Sequence, residues 1–331
     1  MTTVLVTGGA GYIGSHSVKA LREAGYGVVV LDNLSAGHRD AIPGVPLVVA
    51  DIADTATVAQ TIREYQVGAV MHFAAWLAVS DSVTDPAGYY RNNVLGTLGT
   101  LAALVETGIR SFIFSSTCAV YGEPDTTPIR ETNATRPINA YGQTKLAIEQ
   151  ALPHYERAYG LRSVRLRYFN AAGADPDALI GEDHSPEIHL IPRCIEAATG
   201  GRPLQLFGDD YPTPDGTCVR DYVHVTDLAD AHVKALQYLE RGGDSATFNV
   251  GTERPSSVRQ VVAAVERATG RPVVHEMAAR RPGDPAVLYA SAGAIHDALG
   301  WVPRRPDIDT IVEDAWRWHA RCPQGYARTR D

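Results

Sequence analysis

Cysteine is scarce in this chain: four residues, Cys118, Cys194, Cys218 and Cys322, with no CxxC pair among them. That excludes a disulfide scaffold and a thiolate zinc ribbon, and free thiols in a reducing compartment are the expected state. Basic charge is also short. Lys plus Arg number 30 against 38 Asp plus Glu, a formal net charge of −8. Such a balance argues against a nucleic-acid partner or a membrane surface, yet a few arginines can still hold an anion in a pocket. No apolar run is long enough to cross a bilayer; the longest covers residues 68–79. The opening MTTVLVTGG lacks a basic n-region and a long apolar core, so no secretory signal is expected and the cytoplasm is the expected location. HxxxH and HExxH pairs are missing as well. His184 and His189 fall in a proline-containing loop, and no metal site is expected there. Internal repeats and low-complexity segments are absent.

What is present is a rhythm. The 331 residues are 45% hydrophobic and 21% charged, an ordinary globular mix. Short apolar runs at residues 4–6, 28–31, 47–49, 69–73, 112–114 and 164–166 alternate with helical patterns. Continuous apolar runs suit strands buried on both faces, and βαβα alternation implies a parallel sheet with helices on either side. The expected fold is therefore α/β: a doubly wound parallel-sheet (Rossmann) domain over residues 1–170. Beyond about Asn170, Gly, Pro and Asp become dense, and helical patterns return at residues 225–239, 258–268 and 308–318. Residues 171–331 are expected to form a smaller mixed α/β lobe over the C-terminal edge of the sheet, where ligands of open sheets bind. No clean linker divides the two, so strands or helices of the second part are free to return to the first.

The first apolar run leads into Thr7-Gly8-Gly9-Ala10-Gly11-Tyr12-Ile13-Gly14, followed by a helical pattern. Gly9, Gly11 and Gly14 satisfy GxGxxG, and Gly8, Gly11 and Gly14 satisfy GxxGxxG. Glycine allows the tight turn and lets backbone N–H groups approach a pyrophosphate at a helix N-terminus. Alone the motif is weak. Here a strand precedes it, a helix follows, and Asp32 ends the next strand at the spacing a dinucleotide site requires. A carboxylate at that place accepts from the adenosine ribose hydroxyls and repels a 2′-phosphate, so the expected cofactor is NAD and not NADP.

Tyr141 and Lys145 stand four apart at the start of a helical pattern that runs to about Tyr159, one strand–helix unit beyond Ser115-Ser116-Thr117. Such a pair shares one helical face. An ammonium beside a phenol lowers the phenol's pKa, and a tyrosine so tuned can act as general base on a hydroxyl.

At these residues the chain resembles the extended short-chain dehydrogenase/reductase family, and within it the UDP-glucose/UDP-galactose 4-epimerases. The similarity runs nearly the whole length. It includes His72-Phe73-Ala74-Ala75, Arg167-Tyr168-Phe169-Asn170 and the long string DYPTPDGTCVRDYVHVTDLADAHV. The resemblance implies an isomerase of carbohydrate metabolism that inverts C4 of UDP-galactose or UDP-glucose through a transient 4-keto sugar, with NAD regenerated in each turnover. It implies Thr117, Tyr141 and Lys145 as catalytic residues. Gly8, Gly11, Tyr12, Ile13 and Gly14 would line the pyrophosphate, Asp32 and Asn33 the adenosine ribose, and Asp51 and Ile52 the adenine edge. Phe73, Ala74 and Asn92 would lie along the cofactor, whose nicotinamide ribose Tyr141 and Lys145 would hold. Asn170, Arg220 and Arg281 match phosphate-holding groups, Phe207 a uracil contact, Asp284 a uridine ribose contact, and His189 a residue near the substrate. A homodimer is the family's expectation.

Two positions depart from well-known members: Leu77 replaces a lysine and His189 an asparagine. Leu288, four residues after Asp284, stands where a tyrosine suits plain hexoses. A leucine there leaves room for an N-acetyl group, unless Leu288 is a core strand residue or Tyr289 takes the position. UDP-N-acetylhexosamine or UDP-pentose epimerisation is thus the alternative specificity. Dehydratases and decarboxylases of the same fold place acidic residues after the active-site threonine, whereas Cys118 and Ala119 follow Thr117. A non-catalytic NAD-sensing protein would lose the tyrosine and lysine that this chain keeps.

Overall fold

Runs with no polar face, such as Val4-Leu5-Val6, are wholly shielded from solvent within a central sheet. The computed structural model describes residues 2–281 and 284–326. In chain order its elements are β1 (Thr3–Thr7), α1 (Tyr12–Glu23), β2 (Gly27–Asp32), β3 (Leu47–Val49), α2 (Thr55–Glu64), β4 (Val67–His72), the short α3 (Val79–Thr84) and α4 (Pro86–Tyr89), α5 (Gly96–Thr107), β5 (Ser111–Thr117), α6 (Ala140–Tyr159) and β6 (Arg162–Tyr168). There follow β7 (Asn170–Ala172), α7 (Leu190–Ala198), β8 (Leu204–Phe207), β9 (Val219–Arg220), β10 (Tyr222–His224), α8 (Val225–Glu240), β11 (Ala246–Val250), β12 (Ser256–Ser257), α9 (Val258–Thr269), β13 (His275–Ala278), β14 (Val287–Leu288), α10 (Gly293–Leu299) and α11 (Ile308–Arg321).

The main sheet has seven strands in the order β3-β2-β1-β4-β5-β6-β11. Every neighbouring pair is parallel. The chain winds outward from β1 to β3 and then returns to β4 on the other side of β1. The crevice over the C-terminal ends of β1 and β4 is the switch point at which such folds bind ligands. This is the doubly wound α/β architecture.

The sheet draws on both halves of the chain. Leu228, Ala231, Ala235, Leu236 and Leu239 of α8 share one buried cluster with Val18 and Leu21 of α1 and with Phe248 and Val250 of β11. Each helix covers an apolar stripe that the other could not bury alone. On the opposite face α2, α5 and α6 pack a second cluster through residues such as Val58, Leu104 and Leu152. A third cluster, formed by α7, α9, α11 and β8, is the core of the smaller lobe. Its short sheets pair β10 with β7, β8 with β13, and β9 with both β12 and β14. The second half of the chain therefore supplies the smaller lobe and also returns α8 and β11 to the larger one.

Strand β4 ends at His72, one residue short of the expected 69–73. Both Phe73 N and Ala74 N turn back to Thr7 O, at 2.9 and 3.1 Å, so the chain leaves the ladder over the glycine turn.

Candidate active site

The glycine turn packs backbone against backbone. Gly8 has φ +70°, and a Cβ on it would lie 2.5 Å from Ala74 N. On Gly14, in the first turn of α1, a Cβ would lie 2.2 Å from Gly8 O. The first N–H groups of α1 have no partner within the helix and are available to an anion. Asp32 closes the turn from the end of β2: its Oδ2 accepts from Ala10 N and its Oδ1 from Leu34 N, each at 2.9 Å. Burial raises its carboxyl pKa against the opposing pull of these two bonds. Each oxygen keeps a second lone pair for a ribose hydroxyl. Asn33 Nδ2 donates to Asp51 Oδ2 at 2.9 Å, which joins two of the expected adenosine contacts. The cradle fits a dinucleotide.

One cavity runs from this turn into the gap between the lobes. Gly8, Gly11, Tyr12, Ile13, Gly14, Asp32, Asn33, Ile52, Phe73, Ala74 and Asn92 line its cofactor end. Thr117, Tyr141, Lys145, Asn170 and His189 line its other end, and Leu77 also borders it. Asp51 is off the wall and reaches the site through Asn33. Asn92 is steadied by Asn93, whose Oδ1 accepts from Asn92 Nδ2 and from Trp76 N, both at 2.8 Å. Asn93, next to Asn92, was not among the site residues expected from the sequence.

Thr117 ends β5, and Tyr141 lies in the first turn of α6. That helix starts because Asn139 Oδ1 accepts from Gly142 N at 2.8 Å, an N-cap that sets where Tyr141 begins its turn. Lys145 Nζ donates to Ser115 O at 2.9 Å. Burial pushes the Lys145 pKa down to about 7, and the carboxylate of Glu149 opposes that shift. Burial drives the Tyr141 phenol well above its ordinary value, with Tyr168 adding to the rise and a hydrogen bond from Thr117 opposing it. The i, i+4 spacing favours a lowered phenol, and burial acts in the opposite direction. Both groups are buried, so the lysine itself resists the charge that would have stabilised a phenolate. Glu149 also pairs with Arg167, whose Nε lies 3.0 Å from Glu149 Oε1, and accepts from Ser116 Oγ at 2.5 Å. This buried pair ties β5, α6 and β6 beneath the catalytic candidates.

The remaining picks gather where the smaller lobe meets the sheet. Asn170 Nδ2 donates to Asp221 O at 3.0 Å. Arg220 pairs with Asp284. The Arg281 guanidinium lies 3.8 Å from the centre of the Phe207 ring. Arg281 and Asp284 line a neighbouring depression, whereas Phe207, Arg220 and Leu288 border neither space. Leu288, in β14 and partly buried, packs against a cluster of Val120, Tyr121, Ile129, Leu146 and Phe169. The Cys118 thiol, partly buried, is pushed up to about 12 by its surroundings, chiefly desolvation.

The loop before α7 holds an arrangement that the sequence reading did not anticipate. Glu182, His184, Glu187 and His189 each bring a nitrogen or oxygen within 4.8 Å of the others. Burial disfavours charge on both rings. Contacts with the two carboxylates outweigh it and hold His184 at about 9 and His189 at about 10. The search for helical pairs passed over this loop because a turn, not a helix face, brings the four together. Their alternating acid–histidine spacing was the available signal.

Residues 4–251 match the NAD dependent epimerase/dehydratase family. The chain belongs to this family. Among its relatives is the UDP-glucose 4-epimerase of Halalkalibacterium halodurans, 49% identical over 325 residues, which are 98% of this chain and 97% of the relative. The crystal structure of the Brucella ovis UDP-glucose 4-epimerase in complex with NAD is 51% identical, with a TM-score of 0.94 over 96% of this chain and 98% of that one. A Stenotrophomonas maltophila UDP-glucose 4-epimerase with bound NAD and formylated UDP-arabinopyranose superposes with a TM-score of 0.94 at 40% identity, covering 98% of this chain and 99% of the other. The epimerase/dehydratase match ends at residue 251, just past β11, so it covers all seven strands of the main sheet.

Proposed function

We propose that the protein is an NAD-dependent isomerase that inverts C4 of a UDP-sugar, UDP-galactose or UDP-glucose, through a transient 4-keto sugar. The observation that carries this reading is the convergence of Thr117, Tyr141 and Lys145 on the cavity that begins at the glycine turn, in a chain 49% identical to a UDP-glucose 4-epimerase. Bound NAD supplies the hydride acceptor and a positively charged ring. Gly8, Gly11, Tyr12, Ile13 and Gly14 would take its pyrophosphate, Asp32 and Asn33 its adenosine ribose, and Phe73, Ala74 and Asn92 its flank.

The chain's own work is binding and proton handling. Tyr141 Oη would take the proton from the sugar 4-hydroxyl, directly or through Thr117 Oγ1, and return it to the 4-oxygen once the keto sugar has turned and hydride has come back to the other face of C4. A positive charge beside Tyr141 offsets the burial that keeps its phenol neutral in the cofactor-free site. Asn170, Arg220 and Arg281 anchor the diphosphate and Phe207 and Asp284 the uridine, so the keto sugar turns while its handle stays fixed. Elimination chemistry is disfavoured because Thr117 is followed by Cys118 and Ala119, neither of which carries a carboxylate. No helix among the described residues is long and apolar enough to cross a membrane, and we extend the reading to a cytoplasmic homodimer.

The test is direct. Purified protein saturated with NAD should interconvert UDP-galactose and UDP-glucose with no added reductant and no net NADH. Absence of C4 inversion on a panel of UDP-hexoses, UDP-N-acetylhexosamines and UDP-pentoses would overturn the proposal.

A further inference from the structure

We propose that Glu182, His184, Glu187 and His189 form a binding site for one divalent transition-metal ion of the Zn²⁺ type, which fastens the loop before α7 to the wall of the cofactor cavity. Glu182, His184 and His189 also line the cavity; the ion's part is to hold their loop, not to move protons or hydride.

The geometry carries the inference. His189 Nδ1 lies 2.6 Å from Glu182 Oε1 and 3.2 Å from Glu187 Oε1. His184 Nδ1 lies 3.3 Å from Glu182 Oε1 and 3.6 Å from Glu187 Oε2. Glu182 is 4% exposed, and its Oε1 makes no hydrogen bond despite these near neighbours; neither does His184 Nδ1. His189 Nδ1 and Glu187 Oε1 form a hydrogen bond, and Glu187 Oε1 also accepts from Ile188 N and His189 N at 2.8 Å. Glu187 Oε2, Glu182 Oε1 and His184 Nδ1 are left facing one another. A buried carboxylate oxygen left without a partner is costly, so an occupant that satisfies it is favoured.

The donor set selects the occupant. Two imidazole nitrogens and two carboxylate oxygens match zinc and its first-row neighbours. Thiolates are lacking, which disfavours Cu(I) and iron–sulfur clusters. The two imidazoles disfavour Ca²⁺ and Mg²⁺, which prefer all-oxygen shells. Two carboxylates balance the ion's charge, so the filled site would be neutral. Zinc–ligand bonds of about 2.0–2.2 Å put tetrahedral donors roughly 3.3–3.6 Å apart, so the His189–Glu182 pair, at 2.6 Å, must open by about 0.7 Å on binding, and a loop with no regular structure can supply that. His189 uses Nδ1 here, which leaves Nε2 for the cavity that the residue lines.

The location gives the ion its role. The His184 ring meets Tyr12 edge-on, 6.3 Å between centroids, and Tyr12 donates its hydroxyl to Gly173 O at 2.6 Å. Tyr12 opens α1 next to the glycine turn. An ion on the four residues would lock residues 182–189 against that wall.

The experiment uses the full chain, stripped with a chelator and titrated with Zn²⁺ against a chromophoric competitor, then with Co²⁺ as a spectroscopic probe. One ion per chain is expected. The Co²⁺ form should show visible d–d bands and no thiolate charge-transfer band. Zn²⁺ affinity should fall at least about tenfold in Glu187→Gln, which preserves shape, and in His184→Ala. Zn²⁺ should raise the melting temperature of the native chain and leave the variants unmoved. Failure to bind one equivalent would overturn the site and leave the four groups as ion pairs only. Unchanged affinity in Glu187→Gln, or a thiolate band with Co²⁺, would overturn it by placing the ion elsewhere.

Discussion

Tyr141 and Asp32 each carry two jobs, and substitutions at each probe both. Tyr141→Phe deletes one hydroxyl from a buried ring without opening a cavity. Turnover should fall roughly 10²–10⁴-fold, the usual worth of a positioned proton-transfer group, while NAD titration stays close to the parent. Near-parental kcat at neutral pH would remove Tyr141 from the proton path. Asp32 supports the turn as well as facing the ribose, since its two oxygens receive Ala10 N and Leu34 N. Asp32→Gly combined with Asn33→Arg should therefore relax the preference for NAD over NADP by about tenfold or more. It should also lower stability by about 1–3 kcal/mol through the two stranded donors. Equal affinity of the unaltered protein for both cofactors would contradict the assignment. The identity of these residues was legible in the sequence because each sits in a motif whose spacing has a physical cause. The tuning of Tyr141 was not, because it depends on burial contributed by the whole surrounding site.

At the scale of elements, the β1–α1 turn is the most tightly constrained piece of the site. Gly14→Ala places a methyl 2.2 Å from Gly8 O, and the only relief is backbone movement. The variant should lose at least about tenfold in NAD affinity and about 1–3 kcal/mol of stability, as overpacked positions do. Cofactor titration and urea unfolding measure the two effects, and parental NAD affinity would mean that the turn does not seat the pyrophosphate. Long periodic segments were easy to read. The helical patterns expected at residues 225–239 and 258–268 appear as α8 and α9 with nearly the same limits. The two-residue strands β9, β12 and β14 had no such signal. Strands that short show no period, and their pairing is decided by whichever backbone tertiary packing brings alongside.

For the whole molecule, three buried histidines set an acid limit. Burial holds His16 and His232 at about 4 and His72 at about 3. His72 sits between Thr7 Oγ1 at 2.8 Å and Thr97 Oγ1 at 3.0 Å. Thr97 already donates to Asn93 O at 2.7 Å, so His72 donates from Nε2 and accepts at Nδ1, a neutral ring. In the unfolded chain these rings take up protons below about 6.5, whereas the folded chain refuses them until about 4. Stability should fall as pH drops through that window, each ring contributing at most about 1.4 kcal/mol per pH unit. Urea unfolding of NAD-free protein across pH 7 to 5 measures the slope, and His72→Gln should reduce it by about one proton. A flat profile would contradict the neutral-ring assignment.

Sequence alone determined the dinucleotide turn, the Asp32 terminus, the Tyr141/Lys145 pair and the parallel architecture, because these rest on local spacing and on periodicity. Tertiary structure alone decided that α8 and β11 return from the second half to complete the first domain, since an apolar stripe does not say which sheet will cover it. It also placed Leu288 against the cluster around Tyr121 and Ile129, and brought four residues of a proline-containing loop to within 4.8 Å of one another. Convergence in a loop follows no repeat along the chain; it follows from where the packed core holds the two ends of that loop.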